Sequence, residues 1–157
     1  MAKTPEQIFV EEKRENIAKS AEDKKLQELS RQWLLDSSGY RYSYNFTWLG
    51  RPIIQYPQDI VAMQEIIWQV QPELIIETGI AHGGSLILYA SVLELIGRGE
   101  VLGIDIDIRS HNREAIEAHP LAKRISMLEG SSIEPGIVDS VRTAAQGKTP
   151  VLVVLDS

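Results

Sequence analysis

The chain has 157 residues, of which 43% are hydrophobic and 24% charged, a balance that suits one globular domain and excludes a disordered or collagen-like chain. It contains no cysteine, which excludes disulfide scaffolds, thiolate metal sites and cysteine nucleophiles. The net charge of -6, a charged N-terminus and the lack of any apolar run near the ~20 residues that span a bilayer predict a cytoplasmic protein with neither nucleic acid nor a membrane as partner.

The first segment, residues 1–36, has a helical pattern and nearly balanced charges. Thr4, Pro5 and Gln7 predict a helix start, because threonine caps, proline suits the first helical position and glutamine completes a capping box. A sparse apolar stripe follows, made of Ile8, Phe9, Ile17, Leu26, Leu29, Trp33 and Leu34. Such a stripe predicts packing on the rest of the chain or on a second subunit, which leaves a homo-oligomer open.

Residues 37–56 carry aromatic side chains at alternate positions. These are Tyr40, Tyr42, Tyr44, Phe46 and Trp48. The period of two predicts a short extended segment with one buried face, ended by Gly50-Arg51-Pro52. With the helical pattern before it, this segment defines an N-terminal helical and aromatic extension over residues 1–56.

A helix is predicted over residues 57–71, and Pro72 ends it because the residue before a proline disfavours helical geometry. Its buried face is expected to carry Ile60, Met63, Ile67 and Val70.

From residue 73 onward, apolar strand patterns alternate with helical patterns. Strands are predicted over 74–76, 101–104, 125–128 and 151–155, and helices over 85–96, 111–119 and 135–145. This order predicts an α/β fold with a doubly wound, mostly parallel sheet. The unbroken apolar run at 151–155 predicts a strand buried on both faces, so we expect a larger fold that is truncated after its fourth strand.

A glycine-rich turn, residues 77–85, follows the first of these strands. Gly79 and Gly83 allow a tight backbone turn and the close approach of a ligand. A dinucleotide-binding sequence would place its middle glycine where this chain has Ala81, which crowds the position of a pyrophosphate. The carboxylate of Glu77 would repel phosphate and suits a cationic ligand, such as the ammonium and sulfonium groups of S-adenosylmethionine.

Polar residues follow the three later strands, at the edge where open α/β sheets bind ligands. Asp105 ends the second strand, where a carboxylate can accept hydrogen bonds from ribose hydroxyls. Ser131 and Ser132 follow the third strand, where their hydroxyls can bond an adenine or cap the next helix. Asp156 follows the fourth strand, where it can ligate Mg²⁺, act as a base or start a turn.

Residues ~45–157 resemble the cephalosporin hydroxylase / rhamnosyl O-methyltransferase family. The stretches that carry the resemblance are Trp48-Leu49-Gly50, Gln55-Tyr56-Pro57, Glu77-Thr78-Gly79-Ile80-Ala81-His82-Gly83-Gly84-Ser85, Gly103-Ile104-Asp105-Ile106-Asp107-Ile108-Arg109, His111-Asn112-Arg113, Gly130-Ser131-Ser132 and Leu155-Asp156-Ser157. That family is similar to the catechol O-methyltransferase type, a Rossmann-like methyltransferase fold that uses S-adenosylmethionine and a divalent cation. The resemblance implies that residues 57–157 are the first part of such a cofactor-binding domain.

The resemblance also implies roles for individual residues. The positions that would bind the cofactor are Glu77, Gly79, Ala81, His82, Gly83, Ser85, Asp105, Ser131 and Ser132. Those expected around its methionine end are Glu77, Gly79 and Ser85. Asp105 would hold the ribose, the two serines would lie by the adenine, and Asp156 would be the first ligand of Mg²⁺. The other metal ligands would lie on a later strand end, and no catalytic residue is assigned.

The favoured function is therefore Mg²⁺-dependent methyl transfer to a hydroxyl of a small molecule, such as a sugar or a secondary metabolite. An NAD-dependent oxidoreductase and a truncated, non-catalytic cofactor-binding homologue are the alternatives. An iron hydroxylase of the facial-triad type needs two histidines and a carboxylate. The three histidines, His82, His111 and His119, form no His-x-Asp or His-x-Glu pair, and only His82 lies in the cofactor turn.

Overall fold

The computed structural model describes residues 2–156, which divide after Tyr42 into two compact units. The first unit contains helices α1 (Pro5–Glu22) and α2 (Lys24–Ser38). The predicted capping box of Thr4 and Gln7 is confirmed at the start of α1. The helical pattern is interrupted at Asp23, whose carboxylate accepts hydrogen bonds from the backbone of Lys25 and Leu26 and so starts α2. None of the described residues of these helices is buried.

The aromatic segment forms a strand only in its second half. Strands β1 (Phe46–Trp48) and β2 (Arg51–Ile53) make an antiparallel hairpin whose turn residues, Leu49 and Gly50, both have positive φ, as a type I′ hairpin turn requires. The prediction of an extended chain was wrong for Tyr42–Tyr44, which forms a 3₁₀ turn. The ring of Tyr42 packs edge-on against Trp33 of α2 instead, and Tyr40 is 84% exposed.

The hairpin belongs to the second unit. The indole nitrogen of Trp48 donates to the hydroxyl of Ser91, 3.0 Å away, and Ile53 is buried in the core of the second unit. The boundary in the structure therefore falls at residue 42/43, earlier than the predicted boundary at 56/57.

The second unit contains a four-stranded, fully parallel sheet. After the hairpin its elements are α3 (Pro57–Val70), β3 (Leu74–Thr78), α4 (Gly84–Ile96), β4 (Glu100–Asp105), α5 (Ser110–Glu117), β5 (Ile125–Glu129), α6 (Pro135–Ala145) and β6 (Val151–Leu155). The spatial order of the strands is β5-β4-β3-β6. Chain order therefore reverses beside β3, and this reversal opens a crevice between the carboxyl ends of β3 and β6.

Helices cover both faces of the sheet, as a doubly wound fold requires. On one face, α3 and α4 pack with the hairpin over a core that includes Ile67, Ile75 and Tyr89. On the other face, α6 packs against Ile76 and Leu102. The predicted α/β class and doubly wound parallel sheet are confirmed.

Two burial expectations were wrong. Strand β6 lies at an edge of the described sheet and is covered on one face only, since Leu152 and Val154 pack on the core whereas Val153 is 54% and Leu155 78% exposed. Val70 is 38% exposed because α3 ends there, at a left-handed Gln71. No helix among the described residues is both long enough and apolar enough to cross a bilayer.

The first turn of α4 packs directly against the backbone of the hairpin, and this close contact is possible because residue 84 is glycine. A Cβ atom on Gly84 would lie 2.2 Å from the carbonyl oxygen of Pro52 and 2.7 Å from the Cα of Ile53. Backbone atoms cannot move aside as a flexible side chain can. The contact therefore requires glycine at this position.

Replacing Gly84 by alanine is expected to lower the free energy of unfolding by about 1–3 kcal/mol, because the added methyl overpacks this contact. Gly136→Ala is the matched control: it also lies in the first turn of a helix, α6, where nothing stands within 4 Å of an added Cβ. This control should raise stability by about 0.5–1 kcal/mol through helix propensity. Urea unfolding of both variants measures the difference, and equal effects would contradict the packing argument.

Candidate functional site

The crevice between β3 and β6 opens into a cleft at the carboxyl edge of the sheet. Its walls are the end of the hairpin, the loop that joins β3 to α4, and the residue after β6. The lining residues are Pro52, Ile53, Ile54, Gln55, Gly79, Ile80, Ala81, His82, Gly84, Ser85 and Asp156. The structure thus brings the predicted cofactor turn and the predicted metal ligand into one cleft.

The loop from Gly79 to Gly83 turns sharply because three of its residues have positive φ. These are Gly79 at 89°, Ala81 at 46° and Gly83 at 80°. Glycine adopts this region freely, whereas alanine there costs roughly 1–2 kcal/mol. The loop closes through a backbone hydrogen bond of 2.7 Å from Gly83 to Ile80.

Asp105, at the end of β4, holds this loop through hydrogen bonds to the loop's backbone. One of its carboxylate oxygens accepts hydrogen bonds from the backbone nitrogens of Ile80, at 2.8 Å, and Ala81, at 3.4 Å. The other oxygen accepts from the backbone of Asp107 at 3.1 Å. A carboxylate has about four acceptor positions, so these three bonds leave room for a ribose hydroxyl. Asp105 shapes the loop, a role that the sequence prediction did not include.

Two further side chains hold the loop from its other side, and neither was predicted. The guanidinium of Arg51 in β2 donates to the carbonyl of His82, at 2.5 and 3.1 Å, and to the amide oxygen of Asn112 at 3.1 Å. Asn112, buried in α5, donates to the carbonyl of Ala81 at 2.9 Å. Asn112 lies in a stretch that carries the family resemblance, His111-Asn112-Arg113, whereas Arg51 lies in none of them.

Glu77 lies inside β3, fully buried, rather than in the loop as expected. Its two carboxylate oxygens accept hydrogen bonds from the hydroxyl of Ser85, at 2.6 Å, and from the hydroxyl of Tyr89, at 2.9 Å. Burial raises the pKa of Glu77 from its ordinary value of 4.5 to about 7, against the lowering effect of both hydroxyls. The charges of Asp156 and Asp105 raise it further.

Tyr89 is the donor in its bond to Glu77. Burial and the neighbouring carboxylate both raise the pKa of the Tyr89 hydroxyl far above its ordinary value, so this group keeps its proton. The side chain of Gln55 lies near this hydroxyl and has the opposite, lowering effect on its pKa.

A second cleft lies on the β4 side of the same loop. Its lining residues are Ala81, His82, Asp105, Asp107, Arg109 and Asn112. The two clefts share Ala81 and His82 and therefore flank the loop. An elongated ligand that crosses the loop would touch both.

The remaining candidates lie farther from these contacts. Ser131 and Ser132 occupy the turn between β5 and α6, and neither caps α6, whose N-cap residue, Glu134, makes no side-chain cap bond. His119 bonds the carbonyl of Leu49 at 3.1 Å and thereby holds the hairpin turn. Arg113 is paired with Glu129 at 2.9 Å.

The described residues do not form a complete metal site. Asp156 is exposed at the end of β6, with its backbone nitrogen bonded to the carbonyl of Thr78 at 3.0 Å. Within residues 2–156 there is no group of three or more metal-ligating side chains. Asp156 can therefore supply one ligand, the number of protein carboxylates that some Mg²⁺ sites use together with water and substrate.

The sheet order, the crevice and the loop geometry define a Rossmann-like methyltransferase fold. The chain belongs to the Rhamnosyl O-methyltransferase/CmcI family, whose model matches residues 40–157. This match confirms the resemblance carried by the sequence motifs.

Curated relatives agree with the family. A rhamnosyl O-methyltransferase of Mycobacterium leprae (strain TN) is 33% identical over 99 residues, which are 61% of this chain and 40% of the relative. One of Mycobacterium tuberculosis (strain ATCC 25618 / H37Rv) is 29% identical over 116 residues, which are 71% of this chain and 44% of the relative. The chain thus spans less than half the length of these relatives.

Solved structures share the fold. A structure of CmcI in its Mg-SAM form has a TM-score of 0.56 and 20% identity, covering 73% of this chain and 47% of that chain. A structure of CmcI in its SAH form has a TM-score of 0.51 and 20% identity, covering 71% and 53%. At this identity the similarity supports the fold assignment alone.

The raised pKa of Glu77 predicts that the folded protein becomes less stable as the pH rises. Below pH 4.5 the group is protonated in both states; as the pH rises toward 7, the unfolded chain loses the proton while the folded chain keeps it. The free energy of unfolding should therefore fall across this window by about 3 kcal/mol relative to Glu77→Gln, which cannot titrate there. Urea unfolding of both proteins between pH 4 and pH 8 tests this, and parallel curves would be the contrary result.

Proposed function

We propose that this chain binds S-adenosylmethionine and forms the cofactor half of an O-methyltransferase that methylates a hydroxyl group of a small molecule. The observation that carries the proposal is the set of three carboxylates, Glu77, Asp105 and Asp156, around the carboxyl ends of adjacent strands. Among the described residues, Glu77 has no cationic partner and is bonded only by hydroxyls. Such a site favours a cationic ligand over a phosphate.

The shape of the site supports the same cofactor. The amino-acid end of S-adenosylmethionine carries an ammonium group and suits the cleft above Glu77 and Ser85. The ribose suits the β4 side of the loop, where Asp105 has acceptor capacity left. The loop between the two clefts consists of glycines and Ala81, which bring backbone rather than bulky side chains toward the ligand.

In this proposal the chain's own residues position the cofactor, and none of them forms a covalent bond with it. S-adenosylmethionine, when bound, supplies a methyl group activated by its sulfonium sulfur. Arg51 and Asn112 fix the loop on one side and Asp105 on the other, so the clefts are formed before a ligand arrives. Such pre-organisation aligns reactants and lowers the entropic part of the barrier.

The acceptor and the metal are the finer parts of the proposal. The relatives are named rhamnosyl O-methyltransferases, and we therefore propose a sugar hydroxyl of the rhamnosyl type as acceptor. Mg²⁺ is proposed as the second cofactor, with Asp156 as one ligand. It would lower the pKa of the acceptor hydroxyl and orient it.

Cofactor choice is tested by calorimetry on the 157-residue chain. We expect saturable binding of S-adenosylhomocysteine and no binding of NAD⁺. Asp105→Ala should weaken the binding by about 1–3 kcal/mol, because both the loop amides and the ribose lose their acceptor. Asp139→Ala, which removes an exposed carboxylate on α6 outside the lining of both clefts, should bind within about twofold of wild type. Binding of NAD⁺ instead would refute the proposal.

The metal assignment is tested with Mn²⁺ as a paramagnetic substitute for Mg²⁺. Weak binding of Mn²⁺ in the presence of S-adenosylhomocysteine is expected for wild type, and Asp156→Asn should abolish it while leaving cofactor affinity within about twofold. Asp139→Asn, an exposed carboxylate on α6, is the control. Unchanged Mn²⁺ binding in Asp156→Asn would remove this residue from the metal site.

A further inference from the structure

Gln55 has a polar atom that the folded chain leaves unsatisfied. Its side-chain oxygen Oε1 is buried and, among the described residues, has no hydrogen-bond partner. Buried acceptors are normally paired, and an unpaired one costs free energy. Gln55 itself lines the cleft that Ser85 and Asp156 also line.

The surroundings of this amide include the hydroxyl of Tyr89. That hydroxyl donates its only hydrogen to Glu77, at 2.9 Å, and so has none left for Gln55. The side chain of Gln55 lowers the pKa of the Tyr89 hydroxyl, which is the effect of an NH₂ group turned toward that oxygen. Among the described residues, Oε1 is the atom of the amide that is left without a partner.

We propose that Gln55 is a ligand-binding residue whose Oε1 accepts a hydrogen bond from the ammonium group of the cofactor's amino-acid end. This inference rests on the proposed function and names a contact that the sequence reasoning did not assign. An ammonium group carries three donors and no acceptor. It can therefore satisfy Gln55 while its charge is attracted by Asp156, and by Glu77 when that carboxyl is ionised, whereas a neutral or anionic group at this position gains less.

The arrangement also selects between ligands. A ligand with the adenosine part alone occupies the ribose side of the loop and does not reach Gln55. A ligand with the amino-acid part supplies the missing donors. Gln55 thus distinguishes the complete cofactor from its adenosine fragment.

The test measures two ligands on two variants by calorimetry. The ligands are S-adenosylhomocysteine, which carries the ammonium group, and 5′-methylthioadenosine, which lacks the whole amino-acid part. Gln55→Met keeps the length of the side chain and removes its polar atoms. Gln58→Met, at an exposed position in the first turn of α3, is the matched control.

We expect Gln55→Met to weaken S-adenosylhomocysteine about tenfold and 5′-methylthioadenosine by less than twofold, with Gln58→Met equal to wild type. The melting temperature of Gln55→Met without ligand should not fall, because an unsatisfied buried acceptor has been removed. Should that variant fail to fold, Gln55→Asn, which withdraws the oxygen by one methylene, carries the same expectation.

Unchanged affinity for S-adenosylhomocysteine in Gln55→Met would overturn the assignment while leaving the proposed function intact. Equal weakening of both ligands would also overturn it, because Gln55 would then support the shape of the cleft rather than bind the ammonium group. Failure of the wild-type chain to bind S-adenosylhomocysteine would refute the proposed function itself and this inference with it.

Discussion

The buried carboxylate of Glu77 is the constraint on which the rest of the site depends. A carboxylate without exposed surface must find its hydrogen bonds inside the protein. Ser85 and Tyr89 supply them, and because they stand four residues apart they lie on one face of α4. This fixes the rotation of α4 against β3. It also brings the start of α4 so close to the hairpin that Gly84 cannot be replaced without moving backbone.

The loop above Glu77 obeys a second constraint, the pairing of its own backbone groups. Its turn leaves amides and carbonyls that no helix or strand satisfies. Asp105 accepts from two of the amides, and Arg51 and Asn112 donate to two of the carbonyls. The loop is thus held between a carboxylate on one side and a guanidinium on the other.

Local patterns predicted those parts of the fold that depend on local forces. The capping box at Thr4, helix α6 and strand β6 match the expected ranges, because caps, periodicity and apolar runs act within a few residues. The sequence pattern failed where pairing between distant segments decides. Phe46 and Trp48 form a strand because β2 lies beside them, whereas Tyr42 packs on Trp33.

The candidate site likewise has parts that local sequence predicts and parts that depend on contacts between distant segments. Asp105 and Asp156 were predicted because each directly follows a recognisable strand. Arg51 was interpreted as part of a chain break, since nothing near it in sequence reveals a carbonyl at His82 as its partner. The burial of Glu77 was also missed, because it depends on hydroxyls that arrive from α4.

The hydrogen bonds of Arg51 to His82 and Asn112 have a consequence for the order in which the site forms during synthesis. Arg51 precedes its partner His82 by 31 residues and its partner Asn112 by 61. At ribosomal rates of roughly 5–20 residues per second, about 3–12 s separate the synthesis of Arg51 from that of Asn112. The hairpin segment has thus been synthesised while the loop it will hold is still being made. The loop reaches its bonded geometry only after α5 emerges, so the nascent chain has no ligand site before that moment.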